Sequence, residues 1–213
     1  QAEPFVATRG QRELGPVLRE YLVEQRGIPE EVLRRNGVRE ATLRPPQTKE
    51  YLATIVFTYW EGGRAVAEKL RALPKVFWQT RNGTPTLYGV DDLEGQDTVI
   101  LVEGELDKLS LEAAGLTNAA SLQTGAGGGL PAALPEALQA ASRVVLALDA
   151  DEAGQDAVRA ILERLGEGRC WRVTWRDGCK DANEVLLRHG PAAVREDVEA
   201  AEPPRPPAGV RPL

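Results

Sequence analysis

The second half of the chain alternates between short apolar runs and longer stretches in which apolar residues recur at helical spacing. Short apolar runs bounded by turn residues are typical of buried strands, whereas apolar residues three and four apart indicate amphipathic helices. Strands are predicted at residues 98–103, 119–123, 143–149 and 170–175. The first of these strands is followed by a predicted helix that runs to about residue 115. Further helices are predicted at 131–141, at 153–165, just beyond residue 181, and at 191–201. This alternation predicts an α/β domain in which helices flank a parallel sheet.

The first half of the chain has a different pattern, which predicts a small α+β subdomain. Residues 11–39 follow a helical period that is interrupted at Gly27 and resumes from Glu30 to Asn36. Residues 51–89 alternate as strands do, with hairpin signals at 61–63 and 82–83. The predicted divisions are a helical lead-in (1–45), a basic α+β subdomain (46–95), the parallel-sheet domain (96–190), and a terminal helix with a Pro-rich linker (191–213).

Composition narrows the class of protein. The 213 residues, 42% of them hydrophobic, suffice for one large domain or two small ones. No apolar run is long enough to span a membrane, so no membrane partner is expected. The chain begins at Gln1 and lacks methionine, so we expect a fragment or a processed form from which an address signal could be missing. The net charge of −6 argues against a protein that coats DNA generally.

Cysteine and histidine are too few for most metal sites. Cys170 and Cys179 cannot form a four-cysteine zinc site, so no zinc is expected, and both thiols are expected to be reduced. His189 directly precedes Gly190, a natural helix stop, which favours a role at a helix end over a role as a ligand.

Charge is distributed unevenly along the chain. Residues 64–81 contain five basic residues and one acid, whereas residues 91–107 contain seven acids and no base. A basic face beside an acidic metal site is the arrangement expected when one protein holds a polyanion and processes it. Charge alone does not establish this, because an ordinary solvated surface explains the same pattern more simply.

Acidic residues are placed where the predicted parallel strands end. Glu103 ends the strand at 98–103, and Asp149 ends the strand at 143–149. Asp151 follows two residues later, a spacing that on a strand would turn both aspartate side chains to the same side. The carboxyl ends of parallel strands share one edge of the sheet, where sites are built. Carboxylates gathered there would suit Mg²⁺, which suggests metal-assisted chemistry on a phosphate.

Some of these acids also have structural interpretations. Glu105 and Asp107 could simply complement the dipole of the helix that follows Gly104, and Asp181 could cap the next helix. The glycine-rich loop at 125–129 could offer backbone N–H groups to a phosphate, but it lacks the Gly-Lys-Ser/Thr ending of a P-loop.

Four segments in this order resemble the Toprim domain of primases and topoisomerases. They are residues 102–107 (VEGELD), 121–125 (SLQTG), 148–155 (LDADEAGQ) and 179–185 (CKDANEV). The last resembles the primase half of bacteriophage-type and Twinkle-type primase–helicases in particular. Five further segments are also similar to that branch, namely residues 21–28, 31–38, 69–71, 75–79 and 87–89. Residues 169–175 are similar to plant and algal Twinkle homologues in particular. The resemblance covers roughly residues 14–202.

The resemblance implies an RNA-polymerase core that makes short primers from ribonucleoside triphosphates on a single-stranded DNA template. It implies Mg²⁺ or Mn²⁺ held by five acids, which are Glu103, Asp107, Asp149, Asp151 and Asp181. Among these, Glu103, Asp149 and Asp151 would be catalytic. Template and nucleotide would be bound by Lys69, Arg71, Lys75 and Lys180. A helicase domain or replisome proteins are the implied partners, and a mitochondrion or chloroplast is the implied location.

Two other functions remain open. Because the zinc module of family primases is missing, the chain could be a non-catalytic arm that holds single-stranded DNA for a helicase. It could also be a Toprim nuclease, which likewise uses clustered acids and a metal. Trp60, Phe77 and Trp78 could stack on bases, although aromatic residues in strands more often belong to the core.

Overall fold

The computed structural model describes residues 5–11, 13–123, 131–132 and 136–204. Two four-stranded sheets organise these residues, one antiparallel and one parallel. None of the helices in the described ranges combines the length and the apolar character needed to cross a membrane.

The antiparallel sheet is built from the first half of the chain. Its strands are β1 (Arg39–Leu43), β2 (Leu52–Glu61), β3 (Arg64–Ala72) and β4 (Val76–Gln79), and they lie side by side in this order. The strands expected within residues 51–89 are present as β2, β3 and β4. Strand β1 was not predicted, and it pairs with β2 although it lies within the predicted helical lead-in.

Short helices cover one face of this sheet. Helix α1 (Pro16–Arg19) continues as a π-helical segment (Glu20–Gln25), and α2 (Glu30–Arg35) follows. Their apolar residues, including Leu18, Leu22 and Leu33, are buried against Ile55, Phe57 and Tyr59 of β2. We call this helix-covered side of the sheet the inner face. Burying each of these large apolar side chains stabilises the fold by about 1.5–3 kcal/mol.

The second half of the chain forms the parallel sheet. Its strands are β5 (Thr98–Val102), β6 (Ala119–Ser121), β7 (Arg143–Leu146) and β8 (Cys170–Arg172), in the spatial order β6-β5-β7-β8. The helices that follow these strands are α3 (Glu105–Ala113), α4 (Glu136–Ala140), α5 (Glu152–Leu165), α6 (Ala182–His189) and α7 (Pro191–Glu199). The predicted α/β class, with a preceding α+β region, is confirmed.

Helices pack on both faces of the parallel sheet. One core joins the sheet to α4 and α5 through residues such as Leu138, Val158 and Ile161. The other joins it to α3, α6 and α7 through residues such as Leu111 and Val185. The strands are apolar on both faces for this reason, which explains why they read as continuous apolar runs.

The edges of the parallel domain depart from the prediction in detail. Helix α4 is described only from Glu136, and the predicted glycine-rich loop at 125–129 lies outside the described residues. Beyond α7, Glu202 exchanges two backbone hydrogen bonds with Arg172 of β8, at 2.7 and 3.0 Å. The start of the predicted linker therefore runs along the sheet edge. Cys170 and Cys179 are free and buried, and His189 lies in the last turn of α6 as predicted.

A buried ionic cluster joins the two halves of the molecule. The ammonium group of Lys108 on α3 is fully buried and donates to Asn36, Asp92 and Glu112. Arg35 on α2 pairs with the same two carboxylates, at 2.7 Å from Asp92 and 2.6 Å from Glu112. Because a buried charge is tolerated only when it is paired, this cluster fixes the lead-in helices against α3.

Candidate active site

Three carboxylates converge at the carboxyl end of the parallel sheet. Glu103 directly follows β5, and Asp149 and Asp151 follow β7. One oxygen from each lies within 4.8 Å of the others. Glu103 and Asp149 are half-buried, and Asp151 is exposed, so the cluster opens to solvent on one side. The structure thus brings together the three acids that the sequence assigns to catalysis.

The two aspartates do not lie on a strand, so that part of the prediction was wrong. Strand β7 ends at Leu146, and Asp149 lies in the turn that leads to α5. Asp151 is the N-cap of α5 and accepts a hydrogen bond of 3.0 Å from the backbone N–H of Gly154. The pair therefore converges through a helix cap rather than through the two-residue repeat of a strand.

Gly154 makes this turn possible, and sequence reasoning missed its role. A Cβ atom at residue 154 would lie only 2.1 Å from the carbonyl oxygen of Asp149. Only glycine permits the backbone of Asp149 to pack so closely against the first turn of α5. The sequence signal that could have revealed this role is a glycine inside a predicted helix, because glycine destabilises a helix by about 1 kcal/mol relative to alanine.

Lys180 lies across the two aspartates. Its ammonium nitrogen is 3.0 Å from Oδ2 of Asp149 and 3.0 Å from Oδ2 of Asp151. The backbone N–H of Ala150 donates to the carbonyl of Lys180 at 2.8 Å, which holds the two turns together. Hydrogen bonds to both carboxylates raise the pKa of Lys180 above its usual range.

The two aspartates respond differently to this environment. The backbone N–H of Gly154 and the ammonium of Lys180 lower the pKa of Asp151. Burial raises the pKa of Asp149, and this effect outweighs the opposing influence of Lys180. Asp151 is therefore the more readily ionised of the pair.

Asp107 and Asp181 lie beside the three converging acids. Asp181 caps α6 by accepting the backbone N–H of Glu184 at 2.8 Å, which matches its structural interpretation. Burial, followed by the charges of Asp181 and Asp149, raises the pKa of Asp107 well above its usual range. Neither residue belongs to the group whose oxygens lie within 4.8 Å, and their role as metal ligands stays a prediction.

The donor set fits a hard divalent cation. All three converging ligand atoms are carboxylate oxygens, which Mg²⁺ and Mn²⁺ prefer over nitrogen or sulfur. The crowding of negative charge that raises the pKa of Asp107 is also what a bound cation would relieve. Glu103, Asp149 and Asp151 are thus the residues that could hold the metal.

The basic residues predicted to bind nucleic acid have three different surroundings. Lys69 is mostly buried and forms an ion pair of 2.9 Å with Glu105, which also accepts a hydrogen bond from the hydroxyl of Tyr59. Glu105 is therefore a buried partner of the inner face, in addition to any effect on the dipole of α3. Arg71 is buried among aromatic rings, whereas Lys75 is exposed just before β4.

The three aromatic residues also separate. Trp78 packs against the small core of Ala41, Val56 and Leu70, on the side of the sheet opposite the inner face. Trp60 and Phe77 are exposed, with 42% and 43% of their surface accessible. Trp78 is thus a core residue, which was the alternative to base stacking. Of these three aromatic residues, only Trp60 and Phe77 present a ring to solvent.

Comparison with known proteins places this geometry in a family context. Residues 100–186 match the family described as Toprim-like. The chain is 41% identical over 170 residues to the Twinkle homolog protein, chloroplastic/mitochondrial, of Arabidopsis thaliana, a match that covers 70% of this chain and 24% of that protein. It is 40% identical over 170 residues to the primase homolog protein of the same plant, covering 70% of this chain and 50% of that one.

A solved structure has the same fold. The primase fragment of the bacteriophage T7 primase-helicase protein superposes with a TM-score of 0.68 at 25% identity, covering 82% of this chain and 72% of that one. The present chain spans about a quarter and a half of the two plant relatives.

Proposed function

We propose that this chain, which carries a Toprim-like domain over residues 100–186 within the fold of a primase core, synthesises RNA primers on single-stranded DNA. The observation that carries the proposal is the convergence of Glu103, Asp149 and Asp151 within 4.8 Å at the end of the parallel sheet. A helicase domain or other replisome proteins would act with it. The name of the chloroplastic/mitochondrial plant relative supports an organellar location.

In the proposed reaction, the 3′-hydroxyl oxygen of one nucleotide attacks the α-phosphorus of the next, and pyrophosphate leaves. Two divalent cations held by Asp149, Asp151 and neighbouring acids such as Glu103 would activate that hydroxyl and neutralise charge on the leaving group. Glu103 would either complete this ligand set or accept the proton of the hydroxyl. After burial, the charges of Asp181 and Asp149 are the largest causes that raise the pKa of Asp107, which indicates that Asp107 and Asp181 lie next to the same site.

Lys180 has a second part in this proposal. Its ammonium forms ion pairs with both Asp149 and Asp151. With a cation held by these carboxylates, the lysine would be free to contact the triphosphate, and the hydrogen bond from the N–H of Ala150 to the Lys180 carbonyl would keep its backbone beside the site. Lys69, Arg71 and Lys75 would supply positive charge toward template or nucleotide, so that binding weakens steeply with salt.

Primer synthesis on a single-stranded template tests the proposal directly. We expect the wild-type chain to form short RNA products from ribonucleoside triphosphates with Mg²⁺ or Mn²⁺, and Asp149→Asn and Asp151→Asn to lose at least about a hundredfold in rate. Asp156→Asn is the matched control, because Asp156 is an exposed acid on α5 that pairs with Arg159. Equal synthesis by all four proteins would refute the assignment of the site.

The same preparations distinguish the two other functions. Tight binding of single-stranded DNA without synthesis under any metal condition would identify a non-catalytic arm for a helicase. Metal-dependent cleavage of labelled DNA with Mn²⁺, lost in Asp149→Asn, would identify a Toprim nuclease.

A further inference from the structure

A column of alternating cationic and aromatic side chains crosses the inner face of the antiparallel sheet. The guanidinium of Arg26 lies 5.1 Å from the ring centroid of Tyr21, and that of Arg71 lies 5.0 Å from the same centroid. Arg71 is also 5.0 Å from the ring centroid of Phe77. Arg71 and Phe77 are direct cross-strand partners in β3 and β4, which places both side chains on one face. The column therefore ends at Phe77, on an edge strand.

The exposure of Phe77 sets it apart from the rest of the column. Tyr21 and Arg71 are buried, at 7% exposure each, whereas Phe77 is 43% exposed. An exposed ring backed by a guanidinium group is the kind of platform on which nucleobases stack, because every base offers a π face. Trp60 is equally exposed but has no cation over its ring among the described residues.

The column also carries more positive charge than its surroundings neutralise. Lys69 is paired with Glu105, but neither Arg26 nor Arg71 forms an ion pair with a carboxylate in the described part of the chain. Arg26 donates to neutral partners, the hydroxyl of Tyr21 at 3.0 Å and the side-chain oxygen of Asn183 at 3.2 Å. Buried guanidinium groups are normally paired with an anion.

Arg71 gives the second sign of a missing partner. Its Nε is buried and makes no hydrogen bond to a described residue. Burial lowers the pKa of Arg71, and the nearby charge of Arg26 acts in the same direction, whereas the hydroxyl of Tyr21 and the charge of Glu105 oppose it. A phosphate group would supply the acceptor that Nε lacks and would add negative charge beyond that of Glu105.

The position of the column connects it to the acidic site. Lys69, on the same face as Arg71, is bound to Glu105, which lies two residues beyond Glu103. At the other end, Arg26 is hydrogen-bonded to Asn183, two residues beyond Asp181. A strand bound along the column would therefore pass next to the carboxylates that are proposed to hold the metal.

We propose that Phe77 stacks on a base of the single-stranded template and that Arg71 neutralises an adjacent phosphate of the same strand. This inference rests on the proposed function, since the strand is the one on which the primer would be made. Lys75, exposed two residues before Phe77, adds charge on the same edge.

Binding of a fluorescently labelled single-stranded oligonucleotide to the 213-residue chain tests the inference. Anisotropy is measured without metal or nucleotide, so the result does not depend on whether primers are made. We expect Phe77→Ala and Phe77→Leu to weaken binding on the order of tenfold, and Phe77→Trp to preserve it. Phe77→Leu keeps apolar contact with the stem of Arg71 and removes only the aromatic face. Trp60→Ala is the control for loss of an exposed aromatic ring and should bind like the wild type.

A second oligonucleotide with a run of abasic sites separates stacking from other effects. The Phe77 variants and the wild type should bind this strand equally, because it has no base to stack. Unchanged binding of the intact strand by Phe77→Leu would overturn the inference. So would an equal loss of binding on both strands, which would show that Phe77 does not act by stacking on a base.

Discussion

The ammonium nitrogen of Lys180 lies 3.0 Å from Oδ2 of Asp149, and it is equally close to Oδ2 of Asp151. One lysine thus forms ion pairs with both of the aspartates that are proposed to hold a divalent cation. Because the lysine and the metal would share the same oxygens, they compete for them.

Replacing Lys180 by methionine should therefore tighten metal binding. Each partly exposed ion pair is worth up to about 1 kcal/mol, so two such pairs correspond to a gain of up to about thirtyfold in affinity. Isothermal titration of Mn²⁺ into the nucleotide-free chain measures this effect. Primer synthesis by Lys180→Met should fall at the same time, because the triphosphate loses a cationic contact.

Lys75→Met is the control for this experiment, since Lys75 is an exposed lysine outside the acidic cluster. Its Mn²⁺ affinity should match that of the wild type. An unchanged affinity in Lys180→Met would show that the lysine does not compete with the metal, and a weaker affinity would show that it assists metal binding.

Gly154→Ala should disrupt the metal site while leaving the fold in place. The added methyl group would lie 2.1 Å from the carbonyl oxygen of Asp149, so the turn that carries Asp149 must move. We expect Mn²⁺ affinity to fall by at least about tenfold and the free energy of unfolding to drop by about 1–3 kcal/mol. Calorimetric titration and denaturant unfolding measure the two quantities.

Gly168→Ala is a matched substitution, because a Cβ atom at Gly168 would meet nothing within 4 Å. It should leave both metal affinity and stability close to wild type. A Gly154→Ala protein with normal metal affinity would contradict the role assigned to this glycine.

The course of the chain near Asp149 shows where sequence reasoning reached its limit. The apolar run continues through Ala147 and Leu148, both buried, so it reads as strand beyond its true end at Leu146. Ala147 still donates to the carbonyl of Leu101, and Trp175 donates to that of Leu148. The residues are buried and hydrogen-bonded without continuing the ladder, and apolar pattern alone cannot separate these two states.

Contacts between distant segments of the chain also could not be predicted from the pattern of apolar and polar residues. The class of fold and the grouping of Glu103 with Asp149 follow from strand ends alone, because parallel strands share an edge. The pairing of Lys69 with Glu105 depends on how the two sheets face each other. Strand β1 was missed because it is short and buries only Ala41 deeply, so its apolar signal is weak.

Asp107→Asn should stabilise the metal-free protein at neutral pH. Burial and the charges of Asp181 and Asp149 raise the folded-state pKa of Asp107, so the folded protein binds this proton more tightly than the unfolded chain. The resulting stability is fully present below the unfolded-state pKa of about 3.9 and is lost as pH rises through the folded-state pKa. Removing the charge should therefore raise Tm at pH 7 by about 2–5 °C.

Thermal unfolding with a chelator, at pH 7 and at pH 4, checks this sign. The gain in Tm should shrink at pH 4, where the wild-type carboxyl is protonated in the folded state. Asp156→Asn, which changes an exposed acid on α5, should give no gain at either pH. A lower Tm for Asp107→Asn at pH 7 would mean that its hydrogen bond from the backbone of Asn183 outweighs the repulsion.

Lys108→Met should be strongly destabilising, because it removes the cation from a buried cluster. Among the described residues, Glu112 would keep its contacts with Asn36 and Arg35, and Asp92 would keep its contact with Arg35. Breaking a buried ion pair on one side costs about 3–5 kcal/mol, whereas replacing both partners by apolar residues is often nearly neutral. Denaturant unfolding should therefore show a smaller loss of stability for Lys108→Met combined with Glu112→Leu than for Lys108→Met alone.

Arg159→Met, which breaks an exposed ion pair with Asp156, is the control and should cost less than about 1 kcal/mol of stability. A single Lys108→Met change as mild as this control would show that the cluster does not hold α2 against α3.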